Sequence, residues 1–364
     1  MNLLLVFDGF GPGGDLAVCM DLYMALKSKG ISVRVVAVRR PAVEDLVAER
    51  FKSRQIPVMM INRICPSEIK NIRLLDDSDV VHIHNPGEYL PLKTALQYRR
   101  AFRTKPIVVT LHGPRPVKAL SATTREKWSA RLGSRLVDHL IIPSQHRTQD
   151  LQSLGVHPRR IKTIGNPIRS FKKLDRQTAR LALNLKDDRF TILWLGRMCE
   201  EKAPQLLVEA APYLRQSGLD PLFLYAGIPY ENIHEAFYPL AEKLGAKVMF
   251  LGYLADPSPA YFASDVYCLT SKFENFPIVL FEALATGLPS VSPQLPIVEN
   301  ELNNHYGLYT YHREEIETLS DAILKVHDEP IIDKAKISID TLEKFGYDRT
   351  AQQHIDLYQY LLNS

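Results

Sequence analysis

The chain has 364 residues, of which 46% are hydrophobic and 24% charged, with a net charge of +4. That length supports two domains with separate cores, and no apolar run approaches the ~20 residues of a membrane span. The four cysteines, Cys19, Cys65, Cys199 and Cys268, form no C-x-x-C pair, which argues against a disulfide frame or thiolate metal site and for reduced cytosolic thiols.

The small net charge hides an asymmetry. Residues 1–166 hold 26 Lys and Arg against 14 Asp and Glu, a surplus of +12; residues 167–364 hold 19 against 27, a deficit of −8. A basic half meets an anionic partner or attracts the acidic half of the chain. Much of the positive charge falls in QYRRAFRTK and TREKWSARLGSRLV.

The opening MNLLLVF runs directly into a strand, without a signal-peptide pattern. Apolar runs predict strands at 3–7, 33–38, 57–61, 79–83, 107–111 and 139–142, with helical stretches between most of them. Alternating strands and helices imply a parallel sheet with ligands at the strands' carboxyl ends. Gly9, Gly11 and Gly14 match G-x-G-x-x-G after the first strand, a dinucleotide-binding pattern. The acidic residue expected after the second strand is replaced by Arg39 and Arg40, which suits an NADP-type oxidoreductase. His84 and His112 end two strands; from the residues alone His112 reads as a satisfied loop histidine. Asp77 and Asp79 form a D-x-D ahead of a strand and read as a solvated turn. In TREKWSARLGSRLVDHLII, Trp128, Leu132 and Leu136 share one helical face. Core packing is the favoured reading of that face, with an anionic membrane surface as the alternative.

The second half repeats the plan of the first. Residues 3–30 run strand, glycine turn, helix, glycine, and residues 191–218 do the same over equal length. The period is too long for a solenoid and fits two doubly wound domains. Strands are predicted at 190–195, 221–226, 247–251, 265–269, 289–292 and near 307–309. In LWLGRMCEEKAPQLL, Arg197 leaves a strand end and Lys202 precedes a helix, with Pro204 suited to its first turn. Two cations beside a helix N-terminus suit a diphosphate. In DVYCLTSKFENFPIVLFEALATGLP, Pro277 starts and Gly287 and Pro289 stop a helix that is apolar on every face except for Glu282. Such a carboxylate needs a partner, either a vicinal diol such as a ribose or a buried Arg or Lys. Glu274 lies on the loop entering that helix, so two carboxylates flank a phosphate-sized socket.

The passage ENFPIVLFEALATGLPSV resembles the Glu-x7-Glu signature of the retaining GT-B glycosyltransferases of family four. The resemblance extends over essentially the whole chain and is strongest from 191 to 292. It implies that Glu274 contacts donor-sugar hydroxyls and Glu282 the nucleotide ribose. It assigns Arg197 and Lys202 to the leaving diphosphate, with Asn275, Phe276, Pro277, Ile278 and Val279 along the donor loop. The backbone of Tyr253 and Leu254, after FLG, would hold the base. In the first half, GPGGD looks like the family's Gly-Gly turn, with Gly13 and Gly14 closing on the diphosphate, and His112 would lie over the donor sugar. Departures are Asn275 and Ala203 where the family has Gly, Ile278 where it often has Asn, and SPQLPIVENEL, which lacks the usual glycines.

The implied fold is α/β, GT-B: two Rossmann-like doubly wound domains facing a central cleft. Domain expectations are 1–166 on the acceptor side, 167–345 for the nucleotide sugar, and a terminal helix at 346–364 crossing back to the first domain. The implied activity is retaining, metal-independent hexosyl transfer by front-face substitution. The donor is a nucleotide sugar, UDP-linked by family habit, and the acceptor a glycan, a lipid-linked glycan or another hydroxyl. No cofactor, metal or nucleic acid is expected. The location expected is cytoplasmic, with peripheral contact at the inner face of the membrane. The alternatives are the NADP-dependent oxidoreductase and a GT-B protein that binds a nucleotide sugar without transferring it.

Overall fold

The computed structural model describes residues 1–9, 14–39, 44–71, 77–113, 122–186, 188–228, 233–329 and 331–364. Its contacts divide the chain into two units, Met1–Ile168 with Lys344–Ser364, and Arg169–Glu343.

The first unit holds a seven-stranded sheet, in the order β3-β2-β1-β4-β5-β6-β7. Its strands are β1 (Asn2–Phe7), β2 (Ser32–Val38), β3 (Met59–Ile61), β4 (Val80–Asn85), β5 (Ile107–Leu111), β6 (His139–Ile142) and β7 (Ile161–Thr163). Every named pairing is parallel. The central strands are continuously apolar because both faces are covered. Leu4 and Val6 of β1 pack with Val81, Ile83 and Tyr98 on one side. Leu3, Leu5 and Phe7 pack on the other with the helix Gly14–Ser28 and with Ala351, Ile355 and Tyr358 of the terminal helix, Tyr347–Leu362. That helix is tied down by Tyr347, whose hydroxyl donates to Asp21 at 2.7 Å, and the chain entering it by the Ile168 amide, which donates to the Phe345 carbonyl at 2.8 Å.

The second unit holds a six-stranded parallel sheet in the order β10-β9-β8-β11-β12-β13. Its strands are β8 (Thr191–Leu195), β9 (Leu222–Ala226), β10 (Lys247–Phe250), β11 (Val266–Cys268), β12 (Ser290–Pro293) and β13 (Leu308–Tyr311). The internal echo has a structural basis. Gly30 and Gly218 end corresponding helices at φ +75° and +85°, and each amide donates to the carbonyl three residues back, Lys27 and Arg215, at 3.0 Å. The second helix of the pair differs: it breaks into Gln205–Glu209 and Ala211–Gln216, where Pro212 has no amide hydrogen to continue the ladder.

Three expectations need correction. β7 is a strand that the sequence pattern missed, because IKT is short and its last two residues are exposed. Pro277 is the N-cap, not the first helical residue, of the helix Ile278–Ala285. Trp128 does not pack in the core: it is 56% exposed, while Leu132 and Leu136 are half-buried. The helix Thr124–Ser134 buries Ala130, Gly133 and Ser134 instead. A Cβ at Gly133 would lie 2.4 Å from the Leu90 carbonyl oxygen, so this helix packs through its smallest face.

Candidate active site

In the second unit the expected residues gather at the carboxyl ends of the strands. The loops after β8, β9 and β10 are stitched together by backbone bonds: Gly196 donates to the Ala226 carbonyl at 3.0 Å, Met198 to Ile228 at 3.1 Å and Gly227 to Gly252 at 2.8 Å. Gly227 sits at φ +146°, and a Cβ there would lie 1.7 Å from the Gly196 oxygen, so only glycine fits. Arg197 is exposed on this rim. Tyr253, 45% exposed, and half-buried Leu254 follow Gly252 on the same rim.

Lys202 and Glu274 form an ion pair, Nζ to Oε1 2.6 Å, with side chains 20% and 9% exposed. Ser271 Oγ donates to the same carboxylate oxygen at 2.6 Å. The Lys202 backbone is fixed as well: Trp194 Nε1 donates to Thr270 Oγ1, and that hydroxyl donates to the Lys202 carbonyl, each at 2.8 Å. Burial alone would pull the Lys202 pKa down, but the Glu274 carboxylate outweighs it and the net shift is upward. The ammonium therefore keeps its charge at neutral pH. With one of its three N–H groups donated to Glu274, it retains two donors to reach phosphate oxygens. Ala203 next to it sits at φ +44°, a left-handed conformation that explains why glycine is the family's usual residue there.

Glu282 is buried in the helix Ile278–Ala285. Tyr261 Oη donates to Glu282 Oε2 at 2.9 Å, and Arg169 Nε stands 3.4 Å from Oε1. Arg169 in turn lies over the Phe171 ring at 4.4 Å. Burial, then the Glu282 charge, push the Tyr261 hydroxyl up, so it stays a donor. Of the two partners that the sequence left open, the cation is present: it is half-buried Arg169. Asn275, Phe276 and Pro277 are buried and Ile278 and Val279 half-buried at the start of this helix, with Phe276 stacked on Phe281 at 4.1 Å. First-turn amides of a helix lack intrahelical acceptors and carry the positive end of its dipole.

In the first unit, His112 and His84 also sit at strand carboxyl ends. Gly14 opens the first helix and is exposed, whereas Gly11, Gly13 and Arg40 lie outside the described residues. His112 Nε2 and His84 Nδ1 share a hydrogen bond of 2.9 Å. The stack continues through His82, whose ring centroid is 4.4 Å from that of His84, to His354 at 5.6 Å. His82 is held by Tyr358 Oη at 2.6 Å and Thr110 Oγ1 at 2.7 Å. Burial lowers His112 to about 3 and His354 to about 4, and holds His82 and His84 well below the usual histidine range. His112 therefore presents a neutral imidazole, able to donate or accept a hydrogen bond but not to act as a cation. The loop bearing it is clamped by buried Arg147, which donates to the Gly113 carbonyl at 2.7 Å and the Glu88 carbonyl at 3.2 Å. Tyr98 bonds Asp8 and accepts from Asn85 Nδ2 at 2.7 Å, closing the rim at β1 and β4.

Cys19, His84 and His112 bring one ligand atom each within 4.8 Å of one another. A metal there would have to break the bond between the imidazoles and deprotonate a thiol that burial pushes well up. The donor set is available but poorly disposed to bind.

Sequence reasoning missed Arg169, Tyr261, Ser271 and Arg147. The first three act across 3 to 113 residues of chain, and no local pattern marks them. His82 and His84 carried a signal: in a strand, positions two apart share a face.

A family model described as glycosyl transferases group 1 matches residues 175–343, and one described as glycosyltransferase family 4 matches residues 12–170. The chain is 25% identical to the D-inositol 3-phosphate glycosyltransferase of Kribbella flavida, covering 95% of this chain and 87% of that protein. It is 23% identical to the UDP-Gal:alpha-D-GlcNAc-diphosphoundecaprenol alpha-1,3-galactosyltransferase of Escherichia coli, covering 88% and 86%. The crystal structure of Anabaena HepE in complex with UDP-glucose shares the fold, with a TM-score of 0.80 at 18% identity over 99% of this chain and 100% of that one. These matches set aside the oxidoreductase alternative. With a family model on each half and a parallel sheet in each unit, the chain belongs to glycosyltransferase family 4 and is a retaining GT-B glycosyltransferase.

Proposed function

We propose that the enzyme transfers a hexose from a UDP-sugar, and that Arg197, Lys202, Glu274 and Glu282 carry the donor chemistry. The observation that carries this reading is the buried Lys202–Glu274 pair, braced by Ser271 beside the start of the helix that bears Glu282. Lys202 and Arg197 take up the negative charge that appears on the diphosphate as the glycosidic bond breaks. Glu274, oriented by Lys202 and Ser271, accepts from donor-sugar hydroxyls, and Glu282, oriented by Tyr261 and Arg169, accepts from the ribose. Asn275 to Val279 line the donor loop, and Tyr253 and Leu254 hold the base by their backbone. His112, Gly13 and Gly14 are assigned to the donor sugar and diphosphate on the family resemblance. In front-face substitution the donor phosphate takes the acceptor proton as the acceptor oxygen bonds to the anomeric carbon and the diphosphate leaves. The cations and the helix dipole supply the electrostatic stabilisation, so the step is metal-independent.

The choice of UDP is supported by the names of the galactosyltransferase relative and of the HepE complex. The acceptor class we propose is a glycan or lipid-linked glycan, worked on at the cytoplasmic face of a membrane; no helix among the described residues is long and apolar enough to cross one. Incubating the purified chain with a panel of nucleotide sugars and following nucleotide release tests the donor assignment. Turnover of UDP-sugars above the others is the expected result. Preference for a GDP- or ADP-sugar overturns UDP, and tight binding without turnover on any acceptor supports a binding protein instead.

A further inference from the structure

The basic surplus of the first unit has a definite location. An open cavity of about 690 Å³ is lined by Arg131, Ser134, Arg135, His157 and Arg160, together with Gln152 and the backbone around Gly155, and by no carboxylate among the described residues. These residues lead into β6 and β7, at the amino ends of the sheet. His84 and His112 lie at the carboxyl ends of β4 and β5 in the same parallel sheet. The cavity is therefore on the opposite rim from His112, which the proposed function assigns to the donor sugar, and from its partner His84.

Its cations are presented differently from their neighbours. Arg99 is committed to the fold: it donates to the Leu136 and Lys105 carbonyls and pairs with Asp138. Arg147 pairs with Asp150. Arg131, Arg135 and Arg160 have no carboxylate partner among the described residues. Two of the three are nevertheless held in place. The Arg131 stem packs 3.5 Å from where a Gly155 Cβ would stand, and Arg160 Nη1 donates to the Val137 carbonyl at 2.5 Å. Like charges held together without counter-charges repel one another, and an anion entering the cavity relieves that repulsion. Guanidinium forks match the oxygens of a phosphate. Beside them, exposed Trp128 lies under the Arg131 guanidinium at 5.7 Å, a pairing of aromatic and cation suited to a phosphate attached to an organic or interfacial body.

We propose that this cavity is a phosphate-group binding site, separate from the donor site, whose ligand is the phosphate of an anionic membrane headgroup or of a soluble phosphorylated molecule. The test uses the full chain and its R131Q/R135Q variant, both exposed positions, with circular dichroism to confirm folding. Inorganic pyrophosphate is titrated by calorimetry at low salt, and vesicles of phosphatidylcholine with or without phosphatidylglycerol are co-sedimented. Expected is a loss of about tenfold or more in affinity for the responding probe in the variant, the size of one lost charge-assisted bond or more, with donor turnover unchanged. Response to pyrophosphate alone identifies a soluble source, and retention by phosphatidylglycerol vesicles alone or as well identifies a headgroup. Pyrophosphate also suits the donor site, so an R197A control is titrated in parallel. Loss there bears on the donor reading and leaves the cavity's difference signal intact. Equal binding of both probes by wild type and R131Q/R135Q, or no binding by wild type, overturns the proposal.

Discussion

The four stacked histidines make the first unit sensitive to acid. His82, His84, His112 and His354 are at most 5% exposed, and burial lowers the pKa of each. In the unfolded chain each returns to about 6.5. Below that value the unfolded state binds more protons than the folded one, so stability falls with falling pH. The contribution is fully present above pH 6.5. It is lost progressively down to the folded values, about 4 for His354 and about 3 for His112. One such histidine costs about 1 kcal/mol at pH 5.5, so four cost on the order of 5 kcal/mol. That approaches the whole stability of a modest domain. Most carboxylates remain ionised over this interval, so they do not mask the effect. Hydrogen exchange of β4 peptides, read alongside urea unfolding at pH 7.5 and 5.5, measures it where the stack sits. The β4 amides should lose protection steeply across this range. His354→Gln should lower the slope by up to one proton, less than a quarter of the total, because burial also lowers His139 and His146 of the same unit. A β4 transition whose urea midpoint is the same at both pH values would refute neutral, buried histidines.

The other predictions concern the donor site. Excess EDTA should leave transfer intact, and activity lost to EDTA and restored by Mg²⁺ or Mn²⁺ would count against cation-and-dipole catalysis. Arg197→Ala should lower kcat by about 10²–10³, by analogy with losing one oxyanion donor; a folded variant within a few-fold of wild type removes the role. Lys202→Ala should do the same and also destabilise the second unit by about 3–5 kcal/mol, because Glu274 is left buried and unpaired. Adding Glu274→Gln should restore the melting temperature but not the rate. Glu282→Gln should weaken binding of the free nucleoside diphosphate by ~1–3 kcal/mol, whereas Glu274→Gln should spare it and slow transfer; equal losses by calorimetry would undo the separate assignments.

What was legible in the sequence was what local patterns encode. Glu282 stood out because an all-apolar helix of eight residues carries one charge, and Glu274 because seven residues separate it from that charge on the entering loop. Except for the short β7, the strands were legible as apolar runs, within a residue or two at their ends. Partners supplied by distant segments were not legible. Arg169 reaches Glu282 across 113 residues and Tyr358 reaches His82 across 276, and no local pattern marks either. Trp128 shows a different failure. Its i, i+4, i+8 apolar row is a valid helical stripe, but a helix offers several stripes, and the one that packs is the one allowing closest approach. Here that is Ala130, Gly133 and Ser134, with the Leu90 backbone against Gly133. Contact with the Leu90 carbonyl leaves no room for a side chain, so Trp128 turns outward beside Arg131. The small-residue face of one helix thereby determines both where the core closes and where the basic cavity opens.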